Sequence, residues 1–295
     1  GMKGNICRSV SNFGLLPPVD DPTYNEMVYT VEKYQGAANG RIIIDASLHA
    51  EYTNDDRTAR AVAEYAKEKN VRMHVHVSET EREVKECKDR HGGLSPVKYF
   101  SKMGVFDVPT TAAHCVWIDD EDRRILKEKG VTVASNPISN LKLASGICDV
   151  GKLYDAGIPV AIGTDGVASN NSLNYFEEIK TFALLGKYRS MDPSRMNPKE
   201  ILMSATRVGA EAQGRLNSGV LKTGCAADLA VVDINAPNMN PGHDLANNLV
   251  YSASGNDVCL TMVDGVVLYQ DGEYKTVDIE RVEYEVNTRC AFNTR

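Results

Sequence analysis

No stretch of this chain reaches the ~18 consecutive apolar residues that cross a bilayer, and its first residues, Gly1-Met2-Lys3-Gly4, hold no apolar signal core. Neither a membrane span nor an export signal is expected, and a cytoplasmic location follows. Positive charge is in deficit: 33 Lys and Arg against 40 Asp and Glu leave −7 at pH 7, which argues against nucleic acid as a partner. The seven cysteines are scattered, odd in number and never spaced Cys-x-x-Cys, so neither a disulfide framework nor a metal knuckle is expected. Short repeats and low-complexity tracts are lacking as well, which excludes a solenoid. What remains is a globular composition over 295 residues, enough for one barrel of about 250 residues or two domains of roughly 150.

Strand-like and helix-like runs alternate at the spacing of βα units. Apolar, β-branched runs at 5–11, 41–46, 71–77, 110–116, 131–134 and 159–163 read as strands of a buried parallel sheet. Between and after them, 23–34, 55–69, 79–90, 96–103, 119–129, 173–185 and 197–213 read as helices. Asp55 is a natural N-cap for the second helix, and Pro198 stands near the start of the last. Beyond residue 213 the pattern changes to short strands with Gly turns at 229–232, 258–263 and 266–269. The expected division is a barrel over 1–215, a small β segment over 216–280 and a carboxy-terminal tail over 281–295.

Four polar clusters sit where strand-like runs end: His49, His76-x-x-Glu79, His114 and Gly163-Thr164-Asp165-Gly166. Side chains alternate along a strand, so His74 and His76 share a face with Arg72 and Ser78 and can both point into a barrel. Glu79, three positions past His76, can lean back over the same mouth. Asp165 is flanked by glycines, and Asn170, Asn171 and Ser172 are better caps for 173–185, which leaves Asp165 free for chemistry. A lone strand histidine ordinarily completes a core hydrogen bond; four such clusters outline the metal site of a hydrolase.

The strings around these residues resemble the amidohydrolase superfamily, in the branch of S-adenosylhomocysteine/5′-methylthioadenosine deaminases and triazine hydrolases. They are His-Val-His-Val-Ser-Glu-Thr at 74–80, Ala-Ala-His-Cys at 112–115, Ser-Asn-Pro-Ile-Ser-Asn-Leu-Lys-Leu-Ala-Ser-Gly at 135–146 and Gly-Thr-Asp-Gly-Val-Ala-Ser-Asn-Asn at 163–171. Leu48-His49-Ala50-Glu51-Tyr52-Thr53 and Gly224-Cys225-Ala226-Ala227-Asp228-Leu229 extend the likeness over nearly the whole chain.

The resemblance implies that zinc is bound by His76 from barrel strand five and Asp165 from strand eight. It further implies that Asp165 takes a proton from the activated water, that His114 polarises that water, that Glu79 protonates a ring nitrogen and that His49 contacts substrate. Water would then add to the amino-bearing carbon of an adenosine-type purine nucleoside and ammonia would depart. Arg8 stands in a segment where relatives present a carboxylate-binding arginine, which makes it a substrate-binding candidate. Relatives also carry a His-x-His pair on barrel strand one. Here the six histidines, 49, 74, 76, 91, 114 and 243, include one such pair, at 74–76, which is already assigned to strand five, so the two strand-one ligands are expected to be lacking.

The expectation is therefore an α/β fold: an incomplete (β/α)8 TIM-type barrel of about six strands with a small carboxy-terminal β-sandwich segment. Zinc affinity should be weakened, and open edges should drive association with a second copy or an amino-terminal fragment. Sedimentation velocity tests that association, and a monodisperse monomer would contradict it. Guanine deaminase and chlorohydrolase activities are the alternatives within the family. A non-catalytic remnant serving a structural or binding role is the alternative outside it.

Overall fold

The structure, a computed structural model, describes residues 1–292. The first eight strands are β1 (Gly4–Ile6), β2 (Ser9–Val10), β3 (Ile42–Ile44), β4 (Ala46–Leu48), β5 (Met73–Val77), β6 (Thr110–His114), β7 (Thr132–Ser135) and β8 (Val160–Ile162). Six of them form one all-parallel sheet in the order β2-β4-β5-β6-β7-β8. The helices that follow the strands are α1 (Pro22–Tyr34), α2 (Asp56–Lys69), α3 (Glu81–Arg90), α4 (Pro96–Met103), α5 (Asp120–Glu128), α6 (Pro137–Lys142), α7 (Val150–Asp155), α8 (Val167–Asn170) and α9 (Tyr175–Ser190). This is the βα repeat of a TIM-type barrel. The sheet stops at β2 and β8 instead of closing, as expected for about six strands.

Pattern explains placement. On β5, Met73, Val75 and Val77 are fully buried in the core with Leu48, Ala59, Val62 and Phe100, whereas His74 and His76 are half-buried on the opposite face. Helix α2 starts where Asp55 accepts the amide of Thr58 (2.9 Å) and its hydroxyl (2.7 Å), and stops at Asn70 in the left-handed region. The registers Leu48↔Val75 and Val77↔His114 bring the carboxy-terminal ends of β4, β5 and β6 to one level. That level is where the site forms.

Several elements differ from the sequence reading. The stretch 5–11 is two strands, β1 and β2, and 41–46 breaks at buried Asp45, whose amide donates to Ile6 O (3.0 Å). The chain thereby leaves a two-stranded ladder, β1 with β3, for the main sheet. The helix expected over 173–185 runs from Tyr175 to Ser190 with Asn174 as N-cap, so none of Asn170, Asn171 and Ser172 caps it. Thr206, at φ −127 and ψ −86, divides 197–213 into α10 (Pro198–Ala205) and α11 (Arg207–Ala212).

The carboxy-terminal sheet is antiparallel, β12-β11-β10-β9, from β9 (Leu229–Val232), β10 (Val258–Val263), β11 (Val266–Gln270) and β12 (Glu273–Tyr274). Periodicity missed α12 (Leu245–Tyr251), and α13 (Ile279–Phe292) stands where a tail was expected. Among the described residues, no helix is long and apolar enough to cross a membrane.

Candidate active site

The chain leaves β4 at His49, whose amide donates to Val10 O (3.0 Å). The His49 carbonyl receives two bonds from His76, one from its amide (3.2 Å) and one from its ring Nδ1 (2.6 Å). A carbonyl can only accept, so Nδ1 carries the hydrogen, which in the neutral tautomer leaves the lone pair on Nε2. The rings of His49 and His76 lie 5.0 Å apart, and that of His114 stacks on His76 at 5.4 Å.

Backbone strain concentrates at this rim. Ser78 (φ 53), His114 (φ 74), Cys115 (φ 48) and Asp165 (φ 60) all occupy the left-handed region just at or beyond the ends of β5, β6 and β8. Such conformations cost on the order of 1–3 kcal/mol each and persist where the surroundings overdetermine them. Gly163 is required for another reason: a Cβ there would lie 2.4 Å from Asn136 Oδ1.

Glu79 is held from both ends. Buried Glu83 accepts the amides of Ser78 (2.9 Å), Glu79 (2.7 Å) and Thr80 (3.4 Å), which fixes the loop. The Glu79 carboxylate accepts the Ser145 hydroxyl on Oε1 (2.9 Å) and places Oε2 3.7 Å from His114 Nε2. His114 is 1 % exposed and donates from Nδ1 to Asn140 Oδ1 (2.9 Å). Burial pushes its pKa below the usual imidazole value, against the opposing pull of Glu79, so the ring favours the neutral form.

Asp165 experiences the reverse balance. Burial raises its pKa, but the Ser139 hydroxyl (2.6 Å) and the Gly166 amide (2.7 Å) outweigh that and hold it below the ordinary carboxylate value. His49 is lowered by burial and then by His76. Burial, with His76 and His114 adding to it, drives His74 down to about 4.

The structure thus brings His49, His76, Glu79 and His114 into one cluster, with Asp165 within electrostatic reach of His114. Arg8 is not among them. It precedes β2, at the opposite end of the strands, and its guanidinium pairs with Glu26 at 2.5 Å. Ser139, Asn140 and Ser145 were assigned no part from sequence, although all lie in the 135–146 string. Glu83 and fully buried Glu178 were missed too. Glu178 accepts from the Ile138 amide (2.9 Å) and from Asn170 Nδ2 (2.8 Å), tying α9 to the Asp165 loop. Both glutamates looked like ordinary helix charges.

A different triple, Glu51, Cys87 and His91, has ligand atoms within 4.8 Å of one another among the described residues. Arg90 already holds the Glu51 carboxylate through Nε (3.1 Å) and Nη2 (2.6 Å), and His91 donates to it at 2.6 Å. Burial, with Glu51 adding to it, raises the Cys87 thiol far above its usual value. The arrangement is an ion-pair cluster, with its carboxylate already compensated.

Comparison with known proteins identifies the family. A sequence model of the amidohydrolase family matches residues 19–268. The 5-methylthioadenosine/S-adenosylhomocysteine deaminase of Dictyoglomus thermophilum is 43% identical over 290 residues, covering 98% of this chain and 67% of that protein. Among solved structures, a zinc-bound adenosine deaminase from Xanthomonas campestris is similar at a TM-score of 0.87 and 29% identity, over 92% of this chain and 62% of that one. The zinc complex of the atrazine chlorohydrolase TrzN from Arthrobacter aurescens is similar at 0.82 and 26%, over 90% of this chain and 59% of that one. The chain therefore spans about two thirds or less of the length of these proteins.

Proposed function

Since the chain belongs to the amidohydrolase family, we propose that it is a zinc-dependent deaminase of adenosine-type purine nucleosides. The observation that carries this reading is the convergence of His76, His114, Glu79 and Asp165 at the carboxy-terminal ends of parallel strands, where barrel enzymes hold their chemistry. The donor chemistry suits the metal. His76 has its Nδ1 hydrogen committed to a carbonyl and Nε2 available, and Asp165 is kept ionised by the Ser139 hydroxyl and Gly166 amide. These two residues would hold zinc, with His114 the neighbouring imidazole at 5.4 Å from His76. When bound, zinc supplies a Lewis acid that makes water nucleophilic near neutral pH.

The protein's own groups move the protons. Asp165 accepts one from the attacking water, and neutral His114, its Nε2 free to accept, orients and polarises that water. Glu79 delivers a proton to the ring nitrogen beside the amino-bearing carbon as water adds; Asp165 then passes the proton it took to the amino group, which departs as ammonia while the added hydroxyl returns a proton to Glu79 and leaves the carbonyl. His49, whose ring lies 5.0 Å from that of His76, contacts the nucleoside. The test is ammonia release from 5′-methylthioadenosine and S-adenosylhomocysteine by zinc-loaded protein. Stoichiometric ammonia is expected, and none from either substrate would sink the assignment.

We extend the reading to association and location. The unpaired edges of β2 and β8 favour pairing with a second copy, and the free thiols fit a reducing cytosol.

A further inference from the structure

The loop after α6 delivers a hydroxyl to Glu79. Ser145 is 3 % exposed, and its Oγ donates to Glu79 Oε1 at 2.9 Å. Its backbone is fixed on both sides: the amide donates to Asn140 O (2.8 Å), and the carbonyl receives the Trp117 indole N–H (2.6 Å). The neighbouring Gly146, at φ +124, permits this approach, since a Cβ there would lie 2.9 Å from Val116 Cγ1 and 3.2 Å from Trp117 Nε1. Asn140 also accepts from His114 through its side chain at 2.9 Å. Helix α6 and the loop that follows it therefore steer both His114 and Glu79.

We propose that Ser145 is a positioning residue that decides which oxygen of Glu79 carries the transferable proton. This rests on the deaminase reading above. A hydroxyl donating to Oε1 competes with protonation at that oxygen, because one lone pair is taken and a second hydrogen would face it. Oε2, on the side of His114 Nε2 at 3.7 Å, is then the oxygen that binds the proton and presents it to the ring nitrogen. Without the hydroxyl the carboxyl group can rotate and offer either oxygen, and the fraction of productive geometry falls.

The test compares kcat and KM for ammonia release in the wild type, Ser145→Ala, Ser145→Thr, Glu79→Gln and the double variant Ser145→Ala/Glu79→Gln. Ser145→Ala is expected to lower kcat about tenfold with KM within about twofold, the scale of one hydrogen bond to a charged group, and Ser145→Thr to recover most of the loss. In the Glu79→Gln background Ser145→Ala should add nothing, because no acid remains to be positioned. The chain has a single tryptophan, so Trp117 emission reports whether the loop stays docked, and it should not change in Ser145→Ala. An additive loss, an unchanged kcat, or a loss accompanied by shifted emission would each overturn the proposal.

A wild type that releases no ammonia refutes the deaminase reading instead. Denaturant unfolding of Ser145→Ala, Glu79→Ala and their combination then still decides whether the two side chains act together. Non-additive midpoints support the pairing, and additive ones refute it.

Discussion

Replacing Glu79 by glutamine is expected to lower kcat for deamination by at least ~100-fold, the scale of a lost general acid. The substitution is nearly isosteric. Glutamine keeps an oxygen to accept from Ser145, and the amides of Ser78, Glu79 and Thr80 stay fixed by Glu83, so the loop should keep its course. What disappears is the proton proposed for the ring nitrogen. KM should change little, because the interaction lost is one made in the transition state, and zinc content should not change. Steady-state ammonia release decides the matter: turnover near that of the wild type would mean that another group protonates the ring.

Asp165→Asn is expected to cost as much in kcat, at least ~100-fold, but with a different signature. Asparagine tolerates the left-handed backbone at φ 60 better than most residues, so the turn should survive. The negative charge that the Ser139 hydroxyl and Gly166 amide stabilise is lost, and with it the metal ligand and proton acceptor proposed above. Zinc content should therefore fall together with kcat. The two variants separate the roles: Glu79→Gln keeps metal and loses turnover, whereas Asp165→Asn loses both. If Asp165→Asn retained zinc at the wild-type level, its place as a ligand would be wrong.

Much of this site could be read from residues alone because parallel strands impose few choices. An apolar run of β-branched residues ending in a polar cluster must emerge at the carboxy-terminal rim, and the alternation on Met73–Val77 by itself assigns His74 and His76 to one face. That His49, His76, Glu79 and His114 come together follows from the same pattern. The placement of the supporting groups does not, because their effect depends on tertiary distance. Glu83 on α3 and Glu178 on α9 carry no signal in the sequence that separates them from other helix charges, yet both are buried acceptors for backbone or side-chain amides. Arg8 lies apart from this cluster: a strand-flanking charge can serve either end of a barrel, and here it pairs with Glu26.

Element boundaries failed where one residue redirects the chain. Asp45 ends β3 by sending its amide to Ile6 O, and Thr206 interrupts a helix that propensity alone would continue. The helix Ile279–Phe292 was overlooked because its apolar residues stay exposed, with Val282 at 44% and Val286 at 53%, and so form no buried stripe of the usual kind.

The central claim is that this chain's own His76 and Asp165 hold a catalytic metal, and elemental analysis of the purified protein after dialysis against a weak chelator tests it most directly. Weakly held zinc, at most one per chain but above the buffer level, is predicted, falling toward zero in His76→Ala. A folded wild-type chain with no zinc above the buffer level would contradict the account.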